Sequence, residues 1–259
     1  MNTALERRFG LGGTVAAVTG GGKGIGRAVC ETLAEAGAAV AVQDLVATDA
    51  ERVAAGIRER GGRAMAVAGD AADEAAIDEF LARTVAELGG LDVLVNNAGI
   101  YPFTNFLELP IEQWDRVVDL NLRGVFLATQ RAGRRMAAAG RGGRNVNIAS
   151  VQALRRSGPG VAHYNVSKAG VVMLTKSAAL ELGPKGIAVN AVAPGVIHTP
   201  GTHGMIEEAS FGDPKTRVPF TGRWGVPEDV ANVVLFLAGP AASYVTGETI
   251  IIDGGFLLQ

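Results

Sequence analysis

The chain has 259 residues and a formal net charge of −2, from 24 Lys and Arg against 26 Asp and Glu. That balance argues against a nucleic-acid binder, which needs a cationic excess to neutralise phosphates, and a single cysteine, Cys30, excludes an intrachain disulfide or a Cys-rich zinc site and leaves no metal to expect. No run approaches the ~20 apolar residues of a membrane-spanning helix, and no signal-like apolar run follows Glu6, Arg7 and Arg8, so a cytoplasmic protein with no membrane partner is expected.

Short apolar runs alternate with longer stretches of helical spacing. Residues 14–18, 38–43, 63–68, 91–95, 144–149, 186–192 and 249–252 read as strands. Between the first two, Ile25, Ala28, Val29, Thr32, Leu33 and Ala36 recur with helical spacing. Ile77, Phe80, Leu81, Thr84, Val85 and Leu88 do the same after the third. Strands apolar on both faces belong to a parallel sheet covered on both sides. The expected fold is therefore α/β: a doubly wound Rossmann-type parallel sheet of about seven strands in a single domain, built from right-handed βαβ units. The one long irregular stretch, residues 200–222, reads as a substrate-binding loop or lid.

The first strand runs into Thr19-Gly20-Gly21-Gly22-Lys23-Gly24-Ile25-Gly26. Glycines there let the backbone approach a pyrophosphate, and the N–H groups and dipole of the following helix attract an anion. The strict G-x-G-x-x-G spacing is absent, as is a Walker lysine followed by Ser or Thr. An ordinary strand–helix turn is the plainer reading. Asp44 ends the second strand, 18 residues beyond Gly26. A carboxylate there can accept both adenosine ribose hydroxyls and would repel a 2′-phosphate by roughly 4 kcal/mol at 4 Å before solvent screening. This favours NAD over NADP. Lys23, beside Gly24, pulls the other way unless it is simply a solvated loop lysine.

Asp70 follows the third strand. The fourth ends in Asn96-Asn97-Ala98-Gly99, followed by Tyr101-Pro102-Phe103. Asn121 interrupts an apolar helical pattern of Val117, Leu120 and Val125, where an amide is unexpected. The fifth strand ends at Ser150, and 14 residues on comes Tyr164-Asn165-Val166-Ser167-Lys168. Tyr164 and Lys168, at i and i+4, share a helix face. A free phenol ionises near pH ~10. An ammonium one turn away favours the phenolate, so Tyr164 can exchange a proton with an alcohol or carbonyl oxygen. Ser150 can hydrogen-bond the same oxygen. The alternative is a surface i,i+4 pair. His163, next to Tyr164, reads as structural, and His198 and His203 as loop residues rather than metal ligands.

Together these residues resemble the short-chain dehydrogenase/reductase family over residues 10–256. The ordered set is Thr19-Gly20-x₃-Gly24-x-Gly26, Asn96-Asn97-Ala98-Gly99, Ser150, Tyr164-x₃-Lys168, Pro194-Gly195, Arg223-x-Gly225-x-Pro227-Glu228-Asp229 and Asp253-Gly254-Gly255. Each motif is weak alone; the order is specific. The resemblance implies Tyr164 as acid/base, Lys168 lowering its pKa and holding a ribose, Ser150 orienting substrate, and Asn121 holding a water in a proton relay. It implies a nicotinamide dinucleotide on Gly20, Gly22, Lys23, Gly24, Ile25 and Gly26, with Asp44 and Leu45 at the adenosine ribose. Asp70 and Ala71 would meet adenine, Asn97, Ala98 and Gly99 the neighbouring ribose region, and Pro194, Gly195, Val196, Ile197 and Thr199 the nicotinamide amide. Ser150, Gln152, Tyr164, Tyr101 and Met205 would face a small-molecule substrate. A homotetramer, assembled through the long helices near Asn121 and Tyr164 and the last strand, is the family's usual state.

One departure stands out. The Ser150–Tyr164 gap is one residue longer than the family's usual spacing, and the extra residue falls in Arg155-Arg156-Ser157-Gly158-Pro159-Gly160, expected to bulge outward. The primary expectation is NAD(H)-dependent interconversion of a secondary alcohol and a ketone. Tyr101, Phe103, Met205, Ile206 and Phe211 would form an apolar wall for a hydrophobic substrate. Two alternatives remain. One is an NADPH-dependent 3-oxoacyl-[acyl-carrier-protein] reductase, with Arg131, Arg134, Arg135, Arg141 and Arg144 as a dock for an acidic carrier rather than a solvated helix face, and Arg155 and Arg156 drawing an anionic substrate. The other is a non-catalytic dinucleotide sensor, which would need none of the Ser150, Tyr164, Lys168 and Asn121 machinery.

Overall fold

In the computed structural model, which describes residues 3–155, 158–208 and 211–258, seven strands form one parallel sheet in the order β3-β2-β1-β4-β5-β6-β7. They are β1 (Val15–Thr19), β2 (Ala39–Asp44), β3 (Ala64–Ala68), β4 (Val93–Asn96), β5 (Gly143–Ile148), β6 (Ile187–Pro194) and β7 (Thr249–Ile252). Strand ends differ from the sequence-based boundaries by one or two residues. The shift matters at β1 and β2, whose last residues are Thr19 and Asp44, so both sit on the sheet's carboxyl edge.

The alternating side chains of β1 show why the strands are apolar throughout. Ala16 and Val18 enter one core with α2 (Gly24–Glu35), α3 (Ala47–Glu59) and α10 (Pro227–Ala238). Val15 and Ala17 enter the other, against α4 (Glu74–Leu88), α6 (Gly124–Ala139) and α7 (Ala162–Leu182). A short α1 (Thr3–Phe9) precedes the sheet. No helix among the described residues is long and apolar enough to cross a membrane.

Two sequence-based readings change. Residues 200–222 are not simply irregular: they hold α8 (His203–Glu207) and α9 (Pro214–Arg217), the second started by Asp213, whose carboxylate accepts from Lys215 N. The helix carrying Asn121 is also not regular. Between α5 (Ile111–Val118) and α6 lies a π turn, Asp119–Arg123. Such a turn is a frequent functional device inside helices. It explains an amide in an apolar helical pattern, because Asn121 is aimed out of the ladder and at the neighbouring β4 loop.

Candidate active site

The carboxyl ends of the strands open onto a cavity of about 510 Å³. Its first wall is the glycine loop. Gly20 and Gly24 have φ of 62° and 51°, which disfavours any larger residue. Gly20 N donates to Gln43 Oε1 (3.3 Å), Gly21 N to Gln43 O (2.8 Å) and Gly22 N to Asp44 Oδ2 (2.9 Å), so the loop is sewn to the end of β2. Asn97 Nδ2 donates to the carbonyls of Thr19 (3.0 Å) and Gly20 (2.8 Å) from the β4 side. A Cβ on Gly26 would meet the Gly20 carbonyl and the Asn97 amide, and one on Gly20 would lie 2.8 Å from Ala98 Cα. The twelve-residue α2 starts at Gly24 with no side-chain cap. A backbone cradle with uncapped helix donors, lining the cavity, fits a pyrophosphate.

Charges line the same end. Asp44 also accepts from Val46 N (3.0 Å). Its carboxylate thus serves both as a turn former and as a cavity-lining acceptor. Lys23 pairs with the buried Asp49 at 2.6 Å, and Arg52 pairs with the same carboxylate, so much of the charge on Lys23 is matched within the chain. These two cations hold the Asp49 carboxyl below its usual range. Asp70 meets Arg116 of α5 at 3.0 Å, and its other oxygen accepts from Ala72 N (2.9 Å).

At the far end stand Ser150, Tyr164 and Lys168. Ser150 follows β5 and Tyr164 lies in the first turn of α7; both line the cavity, and Ser150 is near enough to act on the Tyr164 phenol. The longer spacing between them therefore leaves their meeting intact. Arg156 and Ser157, where the extra residue was expected, lie outside the described residues. Lys168 is buried one turn along, with Nζ donating to the Ile148 carbonyl (2.7 Å) and standing 5.9 Å from the Tyr164 ring centroid. Burial dominates both groups. It pushes the Tyr164 phenol up to about 12, against a lowering by the Ser150 hydrogen bond and with a further rise from Tyr101. It pushes the Lys168 ammonium down to about 8. Lys168 is not among the groups that move the phenol. The amine faces the main chain of β5, and desolvation outweighs a charge at that distance.

Asn121, fully buried, accepts from Ile100 N (2.9 Å) and donates to Ile100 O (2.8 Å) and Ser167 Oγ (3.2 Å). It clamps the β4 loop and does not itself line the cavity. Gly22 and Gly26 also stand behind the wall, and Ile206 and Arg155 do not line it, while the other described residues singled out above for catalysis, cofactor or substrate do. Sequence reasoning missed Arg116, Val161, Gly201 and Phe256, which line the cavity from segments without any motif. His163 is buried, its Nε2 3.2 Å from Gln113 Nε2, and desolvation lowers its pKa. His198 and His203 pair with each other on the surface, and no cluster among the described residues could hold a metal ion.

With the geometry in place, comparison with known proteins decides the family. A family model described as enoyl-(acyl carrier protein) reductase matches residues 20–257. A short-chain dehydrogenase/reductase of Armillaria gallica is 42% identical over 256 residues, 95% of this chain and 97% of that one. This chain belongs to the short-chain dehydrogenase/reductase family. A 3-oxoacyl-[acyl-carrier-protein] reductase of Synechocystis is also 42% identical, over 94% of this chain and 97% of its own. Among solved structures, a gluconate 5-dehydrogenase from Burkholderia cenocepacia, in complex with NADP and tartrate, superposes with a TM-score of 0.92 at 35% identity, covering 98% of this chain and 99% of that one. Members of this family are oxidoreductases that use a nicotinamide dinucleotide.

Proposed function

We propose that this short-chain dehydrogenase/reductase interconverts a secondary alcohol and a ketone with NAD(H), using Tyr164 as acid/base. What carries the reading is that Ser150 and Tyr164 line the same cavity as the glycine cradle, with the buried Lys168 one turn along α7 from Tyr164. The bound nicotinamide supplies or accepts a hydride, two electrons with one hydrogen, at the carbon bearing the oxygen. Ser150 and Tyr164 together hold that oxygen. In ketone reduction the Tyr164 hydroxyl gives its proton to the oxygen as the C–H bond forms. In alcohol oxidation the phenolate takes it back. A phenol kept protonated by burial is ready for reduction. For oxidation it must be made more acidic, and a positive ring in the cavity together with the buried Lys168 ammonium acts in that direction. Lys168 keeps further N–H donors beyond the one given to Ile148, which suits it to ribose hydroxyls.

Asp44 supports NAD over NADP. Its carboxylate lines the adenosine end, and the nearest loop cation, Lys23, is already paired with Asp49. The exposed apolar side chains Phe126, Met173 and Leu180 on α6 and α7 support assembly into a homotetramer through those helices. A second reading, NADPH-dependent 3-oxoacyl-[acyl-carrier-protein] reduction, is favoured by the Synechocystis relative. The proposed carrier dock counts against it. Arg131 pairs with Glu74 and Asp78, Arg135 with Asp78, and Arg141 with Asp92, so three of the dock's five cations are matched within the chain.

The test is steady-state kinetics of wild type and Tyr164→Phe with NADH and NADPH. Turnover in the variant should fall by roughly a hundredfold or more, while NADH binding, followed by fluorescence, stays close to wild type. Equal turnover in the variant overturns the role of Tyr164. A tenfold or greater preference for NADPH overturns the reading of Asp44.

A further inference from the structure

We propose that the substrate of this site is a neutral, apolar ketone or secondary alcohol, an aryl or long-alkyl compound with no carboxylate or phosphate next to the reacting carbon, and that Tyr101 is the residue that selects it. The proposal rests on the reading of Tyr164 as acid/base and specifies what lies beside it.

The distribution of charge along the cavity comes first. Among the described residues, the charged side chains lining it are Lys23, Asp44, Asp70 and Arg116 at the adenosine end, and Lys168 behind Tyr164 with its ammonium on the Ile148 carbonyl. Around the hydroxyl of Tyr164 the walls are Tyr101 and Phe103 from the β4 loop, Val161 from the start of α7, Met205 and Phe211 from the segment after β6, and Phe256 after β7. Gln152 is the one amide there. An anionic group beside the carbonyl would lose its water, and among the described residues the cations nearest that wall, Arg217 over the Phe256 ring at 5.4 Å and Arg155 on the Leu257 carbonyl, do not line the cavity. A site built this way rejects such a group while gaining from every apolar carbon it buries.

Tyr101 is the organising member of this wall. Its mount is rigid: the residue before it, Ile100, is held by both main-chain atoms to the buried Asn121, which the π turn aims at this loop. From there the phenol crosses the cavity mouth. Its hydroxyl lies beside Thr199 and packs so tightly on Gly201 that a Cβ at 201 would collide with it. With its polar end engaged at the β6 loop, the ring is what it offers to substrate. That ring stands edge-on to Tyr164, centroids 6.0 Å apart and planes at 67°. The group attached to the reacting carbon must therefore pass along the Tyr101 ring. Tyr101 does not touch the proton being transferred; it decides which carbon skeleton lies next to it.

The test uses ketone reduction by the full-length enzyme, with NADH and NADPH assayed separately. Matched probes are acetophenone against benzoylformate, and 2-octanone against 2-oxooctanoate, each pair exchanging methyl for carboxylate, with 2-butanone as a small neutral ketone and gluconate-type sugar acids as charged polyols assayed in oxidation. The expected result is that neutral probes exceed their carboxylates by roughly a hundredfold in kcat/KM. Tyr101→Ala should lower kcat/KM for acetophenone or 2-octanone at least fivefold relative to 2-butanone, which is too short to reach the wall, and Tyr101→Phe should restore the ratio. Preference for the carboxylates or sugar acids overturns the inference while leaving the oxidoreductase reading intact. So does a uniform fall for large and small ketones in Tyr101→Ala, which would mark a merely structural role. Silence of every probe with both dinucleotides overturns both.

Discussion

The glycine-loop end of the cavity is walled by main chain and strand termini, the end near Tyr164 and Tyr101 by side chains on loops. At the first, Gly20, Gly21 and Gly22 are each tied by a backbone N–H to Gln43 or Asp44, and Asn97 holds two carbonyls from the opposite side. Behind it a buried polar network stiffens the sheet. Asn96 Nδ2 donates to Asn147 Oδ1 (2.8 Å) and Thr129 Oγ1 (3.1 Å), and Asn147 Nδ2 donates to Thr175 Oγ1 (2.9 Å). At the second end, Phe103 is 54% exposed, and the walls are side chains carried on loops after β4, β6 and β7. The invariant part of the chemistry, holding a pyrophosphate, needs fixed donors and room for backbone. The variable part needs only shape and polarity, which exchangeable side chains on a rigid mount supply.

The largest effect that would break this contrast is at Gly26. In Gly26→Ala the new methyl lands on the Gly20 carbonyl, a main-chain atom held by Asn97 and unable to move alone. Overpacking of this kind costs about 1–3 kcal/mol, and the upper end is expected here. NADH affinity, measured by titration calorimetry, should weaken by roughly a hundredfold. The corresponding truncation at the other end, Phe103→Ala, should change stability by no more than about 0.5 kcal/mol and leave NADH affinity unchanged. Equal losses in the two variants would show that the ends are not built differently.

That contrast also governs what could be read from the sequence. The strands, their parallel sense and the glycine loop were legible because each rests on local signals: two-sided apolar runs, glycine at a turn, and polar residues at strand ends; the order of the strands in the sheet was not. Ser150, Tyr164 and Lys168 were legible as an ordered set. The π turn at Asn121 was not, because its cause is a register change in the helix ladder that no residue type announces. Arg116 and Phe256 reach the cavity only through tertiary folding, from a helix and a chain end that carry no motif. Spacing puts Lys168 one turn from Tyr164, but it does not announce burial, which raises the phenol and lowers the amine.

Lys168 sits where the two regions meet, and its buried amine gives the next prediction. Its folded pKa, about 8, lies below its ordinary 10.5. Between those values the unfolded chain binds more protons than the folded one, so this group's contribution to stability rises with pH across that window. Below about pH 8 the buried ammonium carries its full cost. Lys168→Met removes the titration while leaving other groups in common. The stability of wild type minus that of the variant, from urea unfolding without cofactor, should rise by on the order of 3 kcal/mol between pH 7.5 and 10.5. A difference independent of pH would mean that the amine is solvated and the centre of the cavity is as wet as its mouth.

The smallest effect expected is the most selective. Asp44→Asn keeps an acceptor for one of the two N–H groups the carboxylate now serves, Gly22 and Val46, and removes its charge. Exposure to solvent reduces the repulsion of a 2′-phosphate well below the roughly 4 kcal/mol of a fixed pair at 4 Å. About 1.4 kcal/mol, a tenfold change, is a reasonable remainder. The ratio of kcat/KM for NADPH over NADH should therefore rise about tenfold, mainly by gain with NADPH. The ratio of acetophenone to 2-butanone should stay where it was, because the substrate wall is at the other end of the cavity. If the ketone ratio moves with the cofactor ratio, the two ends are coupled through the glycine loop and the division between fixed and variable walls fails. If neither moves, Asp44 is a turn residue alone, and dinucleotide choice lies with Lys23, whose ammonium would then have to leave Asp49 to meet a phosphate.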